Sequence, residues 1–97
     1  MNLESIASST VYKKTSDTRF RNIGEEGIVV RQRASEVLVV SETGARILDL
    51  VDGNRTVDDL VATLAEEYEI DLGKLADDVA AYLLDLLGAG IIEPVGR

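Results

Sequence analysis

The chain has many carboxylates and very little else with which to do chemistry. Its acidic side chains come in adjacent pairs, Asp58/Asp59, Glu66/Glu67 and Asp77/Asp78. General acid–base work by two carboxylates needs a cleft and one raised pKa. Adjacent residues on a helix instead read as a negatively charged first turn or a solvated face. There is no histidine and no cysteine. The commonest general base, the commonest metal ligand and any thiolate nucleophile are therefore missing from the repertoire. Ser8, Ser9, Ser35 and Ser41 have no imidazole to activate them. The stretch "DGNRTVDD" lacks the spacing and the closing glutamate of a calcium loop, and no glycine-rich phosphate loop occurs. These residues point away from catalysis, and no cofactor is expected.

The 97 residues suffice for one domain with a modest core. The N-terminal "MNLESIASST" has no signal-peptide core, and no run approaches the ~20 apolar residues of a membrane span. A soluble cytoplasmic protein, without a membrane partner, is expected. The formal charge of −8 is unevenly spread. Residues 1–33 carry six Lys/Arg against four acids, a net of +2, and residues 34–97 carry four against fourteen, a net of −10. Such an acidic body serves solubility and repels phosphate backbones.

The elements that must position any site fall into two halves. "TRFRNI" (Thr18 to Ile23), "GIVVRQR" (Gly27 to Arg33) and "EVLVVS" (Glu36 to Ser41) read as three strands of an antiparallel meander. Gly24 to Gly27 and Ala34-Ser35 form the turns. Residues 1–17 read as a flexible or loosely docked arm, with Val11 to Asp17 as a possible extended lead-in, and residues 18–93 as the domain. After Ser41 the apolar period changes to 3.6. Ala45, Ile47, Leu48 and Val51 mark one helix. Val57, Leu60, Val61, Leu64 and Tyr68 mark a second, and Leu72, Leu75, Val79, Leu83 and Leu86 a third. The Asp52-Gly53 step could announce a hairpin, but both its flanks have helical period. Gly53 is therefore placed just past a helix end, in a left-handed conformation. Thr56 and Asp71 are placed as N-caps. Gly88 or Gly90 ends the third helix, and "IIEP" leads out. The fold class is α+β and winged-helix-like: a three-stranded antiparallel sheet followed by three helices, βββααα.

The third helix is too apolar for a surface helix. Its apolar positions, from Tyr82 round to Leu84, cover roughly 200° where little more than ~100° is needed. It is either a central helix packed on two sides, or one flank (Leu75, Val79, Tyr82, Leu86) lines a groove. The third strand lies at a sheet edge without the Pro or Lys that normally blunts one, so a peptide could add to it. A covering helix or the N-terminal arm would occupy it equally well. A winged-helix DNA binder would show Arg, Lys, Asn or Gln on its third helix. This one shows Lys74 and three Asp, so no nucleic-acid partner is expected. An acyl carrier protein would need an Asp-Ser-Leu site, which does not occur.

Residues Ile47 to Ile92 resemble the PqqD family. The shared features are an apolar helix ending in Asp-Gly, an Arg-Thr-Val start, an acidic helix with a Leu and an aromatic, the Asp78-Val79 pair, and a Leu-rich end before Gly90-Ile91-Ile92. The resemblance implies a non-catalytic recognition domain for ribosomally made, post-translationally modified peptides. Such a domain binds the leader of a precursor peptide as an added strand and presents the core to a modifying enzyme, often a radical SAM enzyme. By carry-over, Val37, Leu38, Val39 and Val40 would make the strand contacts. Leu75, Asp78, Val79, Tyr82 and Leu86 would make the helix contacts. Asp85, Arg31 and Arg33 would form a charged rim. The competing expectation is a self-associating scaffold or dimerisation module using the same edge. A monomer or weak homodimer fits either.

Overall fold

The structure, a computed structural model, describes residues 9–95. The first eight residues of the expected N-terminal arm lie outside that range. The elements are β1 (Tyr12–Lys14), β2 (Thr18–Ile23), β3 (Glu26–Arg31), β4 (Glu36–Val40), α1 (Glu42–Leu50), α2 (Val57–Tyr68), α3 (Leu72–Gly88) and β5 (Ile92–Pro94). The predicted three strands and three helices are thus β2 to β4 and α1 to α3. β1 falls within the extended lead-in read at Val11 to Asp17, whereas β5 was not expected. The strands β2, β3 and β4 form an antiparallel sheet in chain order, and β1 pairs antiparallel with β5 in a separate ribbon.

Two turns are tighter or looser than expected. Ile23 pairs directly with Glu26, so the first hairpin turns on Gly24-Glu25 alone, with Gly24 at φ 62°. The second turn spans Gln32 to Ser35 because β3 ends at Arg31. Arg33, expected on a strand, is therefore a turn residue.

The helices start where short polar side chains can bond the free N–H groups of a first turn. Ser41 accepts from Gly44 N–H in α1, and Asp71 accepts from Lys74 N–H in α3. Thr56 and Asp59 form a reciprocal capping box on α2. The Asp-Gly step closes α1 and opens the connection to α2. Gly53 has φ 84°, and its N–H donates to Tyr12 O at 3.0 Å. Asp52 Oδ1 accepts from the N–H of Asn54 at 2.9 Å and of Arg55 at 3.2 Å. Those bonds, Asn54 foremost and then the Arg55 amide and guanidinium, hold the Asp52 carboxyl below its usual 3.8. The ionised form is therefore favoured in the fold. Its stabilising contribution is complete above pH 3.8 and is lost as pH falls through the lowered folded value. A carboxyl-carbon NMR titration should place the Asp52 midpoint below 3.8.

Each helix buries most of its predicted stripe: Ile47, Leu48 and Val51; Leu60, Val61 and Leu64; Leu75, Val79, Leu83 and Leu86; Tyr68 is only partly buried, and Leu72, the first residue of α3, is exposed. From the sheet, Val29 joins this core, with Phe20, Leu38 and Val40 packed against it. The helix α1 lies on β3 at Gly27. A Cβ built there would stand 2.6 Å from Phe20 Cε1, 2.9 Å from Ala45 Cβ and 2.9 Å from Val40 Cγ2. Glycine is what lets the helix approach the sheet this closely. Gly27→Ala is expected to cost ~1–3 kcal/mol by overpacking, read as a lower urea midpoint with an unchanged slope.

The N-terminal segment is a domain element from Val11 onward rather than a loose arm. Tyr12 is core, Val57 N–H donates to Thr10 O, and Val95 N–H donates to Val11 O. Lys14 Nζ donates to Leu48 O at 2.6 Å and Val51 O at 2.7 Å. It supplies from outside the cation that the last turn of α1 lacks. Burial lowers its pKa, while Asp49 and Asp52 oppose that shift. "IIEP" likewise returns to the domain instead of leaving it. Ile91 and Ile92 are buried, and Thr15 N–H donates to Ile91 O at 2.9 Å. No helix among the described residues is long and apolar enough to cross a membrane.

Candidate peptide groove

A meander of three strands has two edges, and the sequence treats them differently. The β2 edge carries Arg19 and Arg21, and Asn22 Nδ2 reaches across to the Asp49 carboxylate at 3.0 and 3.1 Å. Charge of this kind discourages strand addition. The β4 edge carries Val37, Leu38, Val39 and Val40. Among the described residues its only strand partner is β3, in the register Val30↔Val37, Ile28↔Val39 and Gly27↔Val40. Among the described residues no backbone hydrogen bond reaches its outer side. Half of its N–H and C=O groups therefore face outward, ready for another strand.

The four strand residues expected to hold a peptide divide between two faces. Leu38 and Val40 turn inward against the core. Val37 and Val39 turn to the opposite face, each 64% exposed. All four would offer backbone bonds to an added strand, but only Leu38 and Val40 look toward the helices.

On α3 the predicted contacts also separate. Leu75, Val79 and Leu86 are core residues, with Val79 1% exposed. Expected to touch a peptide, all three are covered by the protein's own core in this structure. The apolar arc is wide because α3 packs on α2 with one flank and meets β5 near its C-terminal end. Tyr82, Asp78 and Asp85 lie on its other flank. Tyr82 is half-buried against the first turn of α1, which follows directly from β4. A Cβ on Gly44 would stand 2.5 Å from Tyr82 Oη and 3.1 Å from Cζ. Burial pushes the Tyr82 phenol above 10, and the charge of Asp85 adds to it. Asp85 is exposed, and Asp78 reaches solvent with Lys74 3.7 Å away. Gly44 had not been singled out. A glycine inside a helical period is a weak signal, and here it marks the place where an aromatic ring from α3 lies on the α1 backbone.

The two arginines of the expected rim are displaced. Arg31 turns inward, 3.6 Å from Asp17 and 3.6 Å from Glu36, and donates to Ala89 O at 2.6 Å. It ties β3 to the end of α3 and is not free for a partner. Arg33 projects from the turn, its backbone N–H held by Asp17 Oδ1 at 2.7 Å. What remains is an open strand edge lined by Leu38 and Val40, leading into the α1 turn that Tyr82 covers, with Asp78 and Asp85 exposed on the same flank of α3 as Tyr82. Among the described residues no group of three or more potential metal ligands occurs.

Known proteins match this chain in sequence and in fold. A sequence model of PqqD, coenzyme PQQ synthesis protein D, matches residues 26–92. A PqqA binding protein of Rhizobium meliloti (strain 1021) is 24% identical over 90 residues, spanning 93% of this chain and 92% of the relative. Three solved structures share the fold. TbiB1 in complex with the TbiA(beta) leader peptide superposes with a TM-score of 0.78 at 18% identity, covering 84% of this chain and 94% of that one. A lasso peptide synthetase B1 complexed with the leader peptide gives 0.76 at 19%, covering 86% and 98%. The third is the solution structure of the PqqD truncation of Methylobacterium extorquens PqqCD, representing a stand-alone recognition element for such ribosomal peptides. It gives 0.76 at 20%, covering 91% and 94%.

Proposed function

Because this chain belongs to the PqqD family, we propose that it binds the leader of a ribosomally synthesised precursor peptide and presents the core to a modifying enzyme. The reading extends to a radical SAM enzyme as that partner, and to the chain itself being non-catalytic. The observation that carries it is the free, apolar, unguarded edge of β4, which runs directly into α1, whose first turn is covered at Gly44 by Tyr82 of α3.

The mechanism is strand addition. The leader bonds through its backbone to β4, which fixes register and gives affinity with little dependence on sequence. Alternate leader side chains then point to the helix side, where Leu38, Val40 and the ring of Tyr82 offer apolar contact. Asp78 and Asp85 favour a basic leader residue, each exposed pair contributing only ~0–1 kcal/mol. Held at one end, the core stays near the enzyme's active site at raised effective concentration, and no chemistry is asked of this chain.

The test is an amide titration of the 15N-labelled protein with a synthetic peptide of the leader encoded alongside it. Shifts concentrated in residues 36–44 and 78–85 support the groove. A folded spectrum with no shifts, or with shifts centred on β2, counts against it. Sedimentation of the free protein addresses self-pairing through β4: a tight dimer would bury the same edge.

A further inference from the structure

The face of the sheet turned away from the helices has no role in the groove, and its composition is unusual. Alternation along the strands and the observed register place Arg19, Val30 and Val37 in one row across it. Arg21, Ile28 and Val39 form the next, and Ile23 with Glu26 the last. Val37 and Val39 are 64% exposed and Ile23 54% exposed. The wet face of an antiparallel sheet normally carries the polar half of an alternating pattern. Here both faces are apolar. Strand propensity alone does not require this, since threonine would serve it equally, and none occurs on this face.

The two arginines on the face have no acidic partner. Lys13, Arg31, Arg46, Arg55 and Lys74 each have a carboxylate within 4.0 Å. Arg19 and Arg21, like Lys14 and Arg33, have none among the described residues, although the chain carries 18 acids. Arg19 donates only to backbone oxygens of Ser16 and Thr18. An apolar centre bordered by unpaired arginines has the composition of a protein-binding patch. It fits an apolar surface rimmed by carboxylates.

The geometry points to this outer face as the docking surface for the modifying enzyme, through an acidic-rimmed apolar patch on that enzyme. The inference rests on the proposed leader binding in one respect. A strand added to β4 extends the sheet, so its outward side chains continue the row of Val37 and Val39. The enzyme then meets a surface made partly by the leader and binds the loaded domain more tightly than the empty one. By linkage, the enzyme strengthens leader binding by the same factor.

The test titrates the purified modifying enzyme encoded with the precursor into wild type, the double variant Arg19→Glu/Arg21→Glu, and Ile28→Thr. Each protein is used empty and saturated with leader peptide, after circular dichroism and a leader titration of its own. All three are expected to bind leader alike, because β2 and β3 lie away from the β4 edge. Loaded wild type should bind enzyme about tenfold more tightly than empty wild type. The double charge reversal should weaken enzyme binding about tenfold or more, with Ile28→Thr weakening it without any change of charge. Equal enzyme affinity across the three proteins overturns the docking face. Equal affinity for loaded and empty wild type overturns the composite surface. A dimer in sedimentation that the double variant abolishes assigns the face to a second copy and overturns the enzyme as occupant. If no leader binds to wild type, the groove fails instead, and the empty-protein comparison still decides the face.

Discussion

With Val79 replaced by aspartate, the chain is expected to lose its cooperative fold at neutral pH. Val79 is 1% exposed in the middle of α3, among Leu75, Leu83 and Leu86 of the same stripe. Among the described residues no cation reaches that core. The Lys74 ammonium lies on the wet flank beside Asp78, and Lys14 is engaged by the carbonyls closing α1. An unpaired carboxylate there must stay charged at several kcal/mol or take up a proton. A domain of this size has roughly 5–15 kcal/mol of stability in all. The lost apolar contacts and the desolvation together are of that order. Far-ultraviolet circular dichroism at pH 7 should show loss of helix, with partial recovery as pH falls and the new carboxyl protonates. A folded variant at pH 7 would mean that α3 does not pack as described. The same variant is consequently unsuited to probing the groove, since any loss of peptide binding follows from unfolding.

Tyr82→Ala is the substitution that separates binding from folding. The ring is half-buried and its hydroxyl lies over the α1 backbone at Gly44. Removing it opens space at the margin of the core rather than at its centre, and the caps and the buried stripes of all three helices remain. Aromatic anchors in peptide sites commonly contribute ~2 kcal/mol or more to binding. Leader affinity is therefore expected to fall about thirtyfold, with a smaller loss of thermal stability. Unchanged affinity in calorimetry would make Tyr82 a purely structural spacer between α3 and α1. Gly44→Ala offers a check in the opposite sense. Its methyl displaces the phenol outward, so it should change leader affinity while leaving the ring in place.

The proposed leader site and the proposed enzyme site lie on different parts of one small sheet: the β4 edge offers backbone bonds, and the outer face offers side chains.

Much of this architecture follows from local rules that the sequence carries openly. The change of apolar period after Ser41 marks where strands give way to helices. Ser41, Thr56 and Asp71 open the three helices because their side chains bond the N–H groups that a first turn leaves free. Gly53 and Gly90 take left-handed backbone just past two helix ends. The end of α2 was less legible: Glu69 adopts φ 55° without being glycine, with its N–H donating to Ala65 O at 2.8 Å. The open edge of β4 was also within reach, since three strands in a meander must leave two edges and only one was charged.

What the sequence could not decide were pairings between distant segments and the facing of uniformly apolar runs. The β1–β5 ribbon joins Tyr12 to Pro94, and no local pattern in either three-residue strand specifies the other. In "VLVV" every residue is apolar, so alternation gives no hint that Val37 and Val39 turn outward while Leu38 and Val40 turn inward. Arg31 looked like a free cation, but the register with Glu36 and the return of the chain at Ala89 draw it inside. The wide arc of α3 likewise had two explanations. Only the packing of α2 and β5 on one side and Tyr82 against Gly44 on the other shows that Leu75, Val79 and Leu86 belong to the core. Caps and periodicity depend on neighbours within a turn or two, whereas strand partners and the facing of apolar surfaces depend on contacts made only once the whole chain has closed.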